Sequence, residues 1–231
     1  LHWMVHSFPT RRSSDLDKVK TIGDTNFDIA DQLADLGMEA IHSRASKRME
    51  AANIPIRVKN TFDPKDKGTL ISRDYVSPKP RVEMICGRKD IIAIEVFDSD
   101  MVGQSGYDYS LLKNFADAGI SYIAKNTNAN TITHYIPEKS PNVEKCIEGI
   151  KNQFESVCVD VSKVAIISVI GSNMKIPGFL YRAAKALAQE NVNILALDQC
   201  MRQVNMQFII KREDFEKAQR ALHVELVEKE K

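Results

Sequence analysis

The chain has 231 residues, of which 43% are hydrophobic and 27% are charged, and its 32 basic residues nearly balance 31 acidic ones. This composition is typical of a soluble globular protein. No basic stripe with interleaved aromatic residues is present, so a nucleic-acid partner is not expected. The longest apolar runs, such as VAIISVI, have the length of a strand and are too short to cross a bilayer, so we expect no membrane partner.

Four cysteines occur in the chain, at Cys86, Cys146, Cys158 and Cys200. Their spacing does not match that of metal ligands, and no apolar signal peptide precedes them. We therefore predict buried, reduced thiols, no metal site and a cytoplasmic location.

The first sixteen residues, LHWMVHSFPTRRSSDL, show neither helical nor strand periodicity. Codons for His6 to Leu16 can be chosen so that the DNA resembles the end of a short-read sequencing adapter, and Leu1 to Val5 also fit. A disordered native tail is the alternative. We interpret residues 1–16 as an adapter-derived tail that is not part of the fold, and we expect native sequence upstream of residue 17 to be missing.

Residues 17–72 begin with apolar positions that predict one helix around Ile29 and Leu33, ending near Gly37, and a second helix around Met49. The run IPIRV predicts a strand, and DPKDKG predicts a turn. Two helices and one strand cannot close a domain, so this segment is interpreted as the end of a larger α/β domain. Residues 73–83 contain prolines and charges and are interpreted as a linker.

A repeat follows the linker. Residues 84–162 and 163–231 each contain a strand, a glycine–aromatic pair that opens a helix, two further strands and a second helix. The glycine–aromatic pairs are Gly106-Tyr107 and Gly178-Phe179. Together with a closing strand, this order predicts two ferredoxin-like βαββαβ units in a mixed α/β (α+β) chain.

Two such units with a glycine at the first strand-to-helix turn resemble a pair of ACT domains. The preceding stretch GMEAIHSRASKRMEAANIPIRVKNTFDPKDKGTLI resembles the end of the catalytic domain of the aspartate kinases. The resemblance extends from residue 30 to about residue 228. It implies a truncated aspartate kinase, a partial amino-acid-kinase domain followed by tandem ACT domains. An ACT-type sensor fused to another enzyme would conflict with the IPIRVKNTFDP run.

Aspartate kinases transfer a phosphoryl group from Mg-ATP to the side chain of aspartate. The resemblance therefore implies ATP and Mg in the parent enzyme. The lysine- and glycine-rich motif and the later Thr-Asp and Asp-Pro-Arg segments that hold these groups in the family are absent from this chain. We expect no cofactor, no catalytic residue and no kinase activity in this fragment. Glu39 stands where the family has a lysine near the nucleotide, and a carboxylate there would repel phosphates.

In ACT domains the effector amino acid binds at the first strand-to-helix turn. Backbone N–H groups at the helix start favour a carboxylate, Gly106 allows close approach, and Asp108 offers a partner for an ammonium group. Asn126, Asn128 and Asn130 alternate in the turn between the middle strands and offer amides to a zwitterion. The predicted effector-binding residues are Met101, Gln104, Ser105, Gly106, Tyr107, Asp108, Asn126, Asn128 and Asn130.

Structural alternatives remain for both groups. Asp108 can instead cap the helix while Met101 and Tyr107 fill the core, and asparagine is also a common turn residue. In the second unit, QCMRQ replaces the segment with which the family forms its inter-subunit effector site, so this unit is expected to be structural. Feedback by lysine or threonine and a homodimer formed through the ACT domains are implied. A stand-alone regulatory subunit without catalytic activity is the alternative.

Overall fold

The computed structural model describes residues 22–35, 41–59 and 63–229. The predicted adapter segment 1–16, Gly37 and Glu39 lie outside the described residues. The first part of the chain forms a three-stranded sheet with two helices, and its elements are β1 (Asp24–Asn26), α1 (Phe27–Asp35), α2 (Ser43–Ala51), β2 (Ile56–Val58) and β3 (Thr69–Ser72). The central strand β3 pairs in parallel with β1 and antiparallel with β2. The helices and β2 agree with the sequence, whereas β1 and β3 were not predicted.

The remainder of the chain forms one six-stranded antiparallel sheet with four α-helices. Its elements are β4 (Arg81–Phe97), α3 (Tyr107–Asp117), β5 (Ala124–Thr127), β6 (Thr131–Pro137), α4 (Val143–Gln153), β7 (Cys158–Ser172), α5 (Phe179–Gln189), β8 (Ile194–Asp198), β9 (Asn205–Lys211) and α6 (Phe215–His223). The strands lie in the order β5-β6-β4-β7-β9-β8. The mixed α+β architecture with two βαββαβ units is therefore confirmed.

The two units share the long central strands β4 and β7. The first unit consists of the second half of β4, then α3, β5, β6 and α4, and it closes on the first half of β7. The second unit begins with the second half of β7 and continues through α5, β8, β9 and α6. In each unit the pairing gives the strand order expected of a ferredoxin-like sheet.

The closing strand of the second unit comes from an unexpected part of the chain. Residues 81–88, the first half of β4, pair with residues 166–172 of β7, from Arg81 opposite Ser172 to Arg88 opposite Ile166. From the sequence, residues 81–83 were predicted to belong to the linker and residues 84–88 to the first unit. A register shift between Arg88 and Ile91 then turns the strand so that its second half serves the first unit. The first unit is thus inserted into the second.

Each unit has a hydrophobic core between its helices and the sheet. The first core is formed by alternate residues of β4 and β6 against α3 and α4, with Phe115 and Ile150 fully enclosed. The second is formed by β7 and β9 against α5 and α6, with Ala183 and Leu222 at its centre. The opposite face of the sheet carries no helix of either unit, and we call it the helix-free face.

The first part of the chain packs on the helix-free face of the second unit. Ile29 of α1 contacts a buried cluster with Met84, Cys86 and Ile170. A polar contact lies beside it, where the Thr25 hydroxyl donates to Glu83 Oε2 over 2.6 Å. The 73–83 segment joins this contact, because the amide of Ser77 donates to the hydroxyl of Ser172. The segment is therefore docked onto the sheet.

All four cysteines are free, as predicted, but only Cys86 and Cys146 are buried, whereas Cys158 and Cys200 are exposed. Among the described residues, no helix has both the length and the apolar character needed to span a bilayer. In the same part of the chain, histidine, cysteine and carboxylate side chains form no cluster of three or more that could hold a metal ion.

Candidate functional site

The turn between β4 and α3 lies at the exposed end of the first unit. Gly106 precedes the helix with a φ of 81°, a left-handed conformation that glycine adopts without strain. Within the described part of the chain, no side chain caps the first turn of α3. Its first N–H groups therefore lack a side-chain partner there, and their partial positive charge attracts an anion. Gln104 and Ser105 are exposed beside them.

Two of the predicted turn residues belong to the core. Met101 and Tyr107 are 7% and 4% exposed and pack in the first unit, which is the structural alternative weighed for these side chains. The Tyr107 hydroxyl donates to Asp98 Oδ2 over 2.7 Å, and its ring stacks on Phe154 with centroids 4.5 Å apart. Tyr107 therefore supports the turn from the core of the first unit.

Asp98 holds the start of the same turn. Burial alone would raise the pKa of Asp98, but hydrogen bonds from the Tyr107 hydroxyl, the Asp100 amide and the Ser156 hydroxyl outweigh burial and keep the pKa below its ordinary value. Burial, and after it the hydrogen bond to Asp98 and the charges of Asp98 and Asp100, raise the pKa of Tyr107. The pair is therefore a fixed carboxylate–phenol contact that ties the end of β4 to α3.

Asp108 forms an ion pair and does not cap the helix. Lys125 Nζ on β5 donates to Asp108 Oδ2 over 2.6 Å, with side chains 22% and 44% exposed respectively. The other carboxylate oxygen, Oδ1, is buried and has no hydrogen-bond partner among the described residues. Asp108 can therefore accept one more donor, at the first turn of the helix whose N–H groups are uncapped.

Below the ion pair lies His134 of β6, which is fully buried. Its ring packs on Phe115 and Tyr122, and neither ring nitrogen has a hydrogen-bond partner among the described residues. Burial, and secondarily the charge of Lys125, lower the pKa of His134 to about 4, although Asp108 opposes this. The imidazole is therefore neutral at physiological pH. His134 was not among the predicted site residues, because the apolar residues around it are typical of an ordinary core position.

The three predicted asparagines do not share one environment. Asn126 lies on β5 and points to the helix-free face, where its Nδ2 donates to Leu197 O of β8 over 3.1 Å. Asn128 lies in the following turn, where its backbone N–H donates a hydrogen bond to Thr131 O. Asn130 O accepts from the amide of Asp98 and so supports the turn before α3. Of the three, Asn126 and Asn128 line a groove on the helix-free face.

The structure thus divides the predicted residues into three sets. Gln104, Ser105, Gly106 and Asp108 surround the uncapped start of α3. Met101 and Tyr107 support them from the core, as Asn130 does from the neighbouring turn. Asn126 and Asn128 belong to the groove on the opposite face of the sheet. Lys125, which completes the first set, was missed because its pairing with Asp108 spans 17 positions of the sequence.

The equivalent turn of the second unit has the same backbone plan. Gly178 precedes α5 with a φ of 108°, and no side chain caps that helix. Met174 is buried, and Asn173 Nδ2 donates to Ser77 O in the docked 73–83 segment. This turn is therefore occupied by a contact with the preceding part of the chain, in keeping with a structural role.

Comparison with known proteins agrees with this architecture. Residues 167–226 match the ACT domain family. Over 214 residues the chain is 45% identical to aspartate kinase Ask_Ect of Stutzerimonas stutzeri. The aligned region covers 93% of this chain and 45% of that protein. The chain therefore spans less than half the length of this curated relative.

Solved structures of aspartate kinases superpose on most of the chain. The aspartate kinase of Clostridium acetobutylicum matches with a TM-score of 0.84 and 25% identity, over 91% of this chain and 50% of that one. Aspartokinase III of E. coli in complex with lysine and aspartate matches with a TM-score of 0.73 and 19% identity, over 90% of this chain and 47% of that one. The chain is thus homologous to the C-terminal part of aspartate kinases, including their regulatory ACT region.

Proposed function

We propose that this chain is the allosteric region of an aspartate kinase, preceded by the end of its catalytic domain, and that it binds an amino-acid effector at the turn before α3. One observation carries the proposal. The start of α3 combines uncapped N–H groups with a carboxylate, Asp108, that keeps one acceptor oxygen unpaired. These groups complement the carboxylate and the ammonium of an amino acid.

Lysine and threonine are the proposed effectors. The homology to aspartate kinases supports an aspartate-family amino acid, and the E. coli enzyme has been solved with lysine bound. An effector acts here by binding one arrangement of the chain more tightly than another, so the regulatory effect is bounded by that difference in affinity. In the whole enzyme, ATP and Mg would serve the catalytic domain, and the present chain would be catalytically inactive.

A homodimer and a cytoplasmic location belong to the same proposal. The homology to aspartate kinases supports the dimer, because ACT domains in this family associate across subunits. Sedimentation of the purified chain with and without lysine tests the dimer. A start codon directly upstream of residue 17 in the coding DNA would instead favour the stand-alone regulatory subunit, and an in-frame K-F-G-G-T motif would favour the kinase.

Isothermal titration with lysine, threonine, methionine and aspartate tests the effector site. We expect saturable binding of lysine or threonine that is lost in Asp108→Asn. Asp117→Asn is the matched control, because Asp117 also lies on α3 and also pairs with a lysine, Lys113, but it lies at the far end of the helix. The effector site would be refuted if none of the four ligands gave a heat of binding, or if Asp108→Asn and Asp117→Asn lost binding equally.

A further inference from the structure

A groove with a volume of about 610 Å³ lies on the helix-free face, between the two units. All six strands of the large sheet contribute to its walls, and none of the helices does. Ala93, Val164 and Ile209 provide an apolar floor. The hydrogen bond from Asn126 to Leu197 O holds the edge strands β5 and β8 together beside it. A groove of this volume has the size of a small-molecule site.

One buried polar atom in this groove lacks a partner. Asn126 Oδ1 has no hydrogen-bond partner among the described residues. Tyr135, which is 3% exposed, also lines the groove. Burial, together with the charges of Glu95 and Asp198, raises the pKa of Tyr135 to about 12. The hydroxyl therefore lies near carboxylates from both units and stays protonated.

The charges around the groove have one sign. Glu95 and Asp160 line it, whereas no lysine or arginine does so among the residues that the structure describes. A ligand carboxylate or phosphate would be repelled there, and a cation would be attracted. A metal ion is a poor fit, because the described residues hold no cluster of three or more metal-ligating side chains. An ammonium group on an apolar stem fits both the acidic walls and the apolar floor.

We propose that this groove is a binding site for an alkylammonium group, separate from the turn before α3. Its three N–H donors match the acceptors on offer, which are the Glu95 carboxylate, Asn126 Oδ1 and the Tyr135 oxygen. Its stem covers the apolar floor. The site does not rest on the proposed effector site, because the groove and the Asp108–Lys125 pair lie on opposite faces of the sheet.

Titration calorimetry of the complete chain with 1,5-diaminopentane tests the proposal, with neutral 1-pentanol as the control ligand. We expect saturable binding of the diamine only. Glu95→Gln should weaken it about tenfold, the loss expected for one charge-assisted hydrogen bond. Glu148→Gln removes the same charge from an exposed position on α4 outside the groove and should leave binding unchanged. Circular dichroism checks that both variants fold.

L-lysine, which is the same diamine with a carboxylate added, identifies the source of the group. Lysine binding that weakens in Glu95→Gln would assign the groove to the side chain of a basic amino acid. Binding of the diamine alone at this site would assign it to an amine without a carboxylate. The proposal would be overturned if binding of the diamine did not saturate, or if Glu95→Gln and Glu148→Gln changed its affinity equally. Lysine binding that is lost only in Asp108→Asn would report on the effector turn, and the diamine result would still decide the groove.

Discussion

Replacement of His134 by leucine should remove a large part of the acid sensitivity of this fold. His134 is fully buried between Phe115 and Tyr122, and its ring nitrogens have no hydrogen-bond partner among the described residues. Burial lowers the pKa of this imidazole from 6.5 to about 4. Between these values the unfolded chain binds a proton at this histidine and the folded chain does not. The free energy of unfolding therefore falls as the pH is lowered through this window.

The size of the effect follows from the two pKa values. A lowering of about 2.5 units corresponds to about 3 kcal/mol once both states are titrated. Linkage gives a loss of about 2 kcal/mol at pH 5 and about 3 kcal/mol at pH 4, relative to pH 7. The charges nearest the ring are those of Lys125, which lowers the pKa, and Asp108, which raises it.

Urea unfolding of the wild-type chain and of His134→Leu at pH 7, 5 and 4 measures this directly. At pH 7 the variant should be close to wild type in stability, because leucine fills a similar volume and removes two unsatisfied ring nitrogens. At pH 5 the variant should gain about 2 kcal/mol relative to wild type. His42→Asn is the control, because His42 is exposed and asparagine also caps helices. A stability difference that stays constant with pH would refute the assignment.

Two pairs of substitutions test the close approach of the shared strands β4 and β7 and the contact of β1 with β4. Gly87→Ala would place a Cβ about 2.1 Å from Ile166 O, a backbone atom that cannot move aside. We therefore expect urea unfolding to show that the free energy of unfolding falls by more than about 3 kcal/mol. Gly149→Ala brings its Cβ only against the rotatable side chain of Asn114 and should lower the free energy of unfolding by less than about 1 kcal/mol. Thr25→Val removes the hydrogen bond to the buried Glu83 carboxylate and should cost about 2 kcal/mol, whereas Thr25→Ser keeps the donating hydroxyl and should cost less. Equal stability losses within either pair would contradict the geometry.

Local sequence patterns were sufficient to predict most of the secondary structure. Alternation of apolar residues identified the strands, and the glycines before Tyr107 and Phe179 identified where two helices begin, because both adopt a positive φ there. The repeat of these signals gave the two βαββαβ units. The pairing of Arg81 with Ser172 could not be predicted in this way, since residues so far apart leave no local pattern.

The candidate site was predicted in position more than in detail. The exposed turn at Gly106 follows from the glycine itself, but the ion pair of Asp108 depends on where β5 lies beside α3. The sequence alone also grouped Asn126, Asn128 and Asn130 on one strand face. In the structure β5 ends at Thr127, so the strand pleat orients only Asn126 and the turn sets the other two.

Insertion of the first unit into the second has a mechanical consequence for both. Glu83, near the start of β4, contacts Thr25 in the first part of the chain, and β4 ends at Phe97, directly before Asp98, which holds the turn before α3. Because one continuous strand joins these points, a displacement at either end is opposed by the same ladder of hydrogen bonds to β7. This ladder is interrupted between Val82 and Met84, at the Glu83 contact itself, and again between Arg88 and Ile91, in the middle of the strand. Any change that an effector at Asp108 imposes on the first part of the chain by way of β4 must therefore pass through, or be absorbed at, these irregularities.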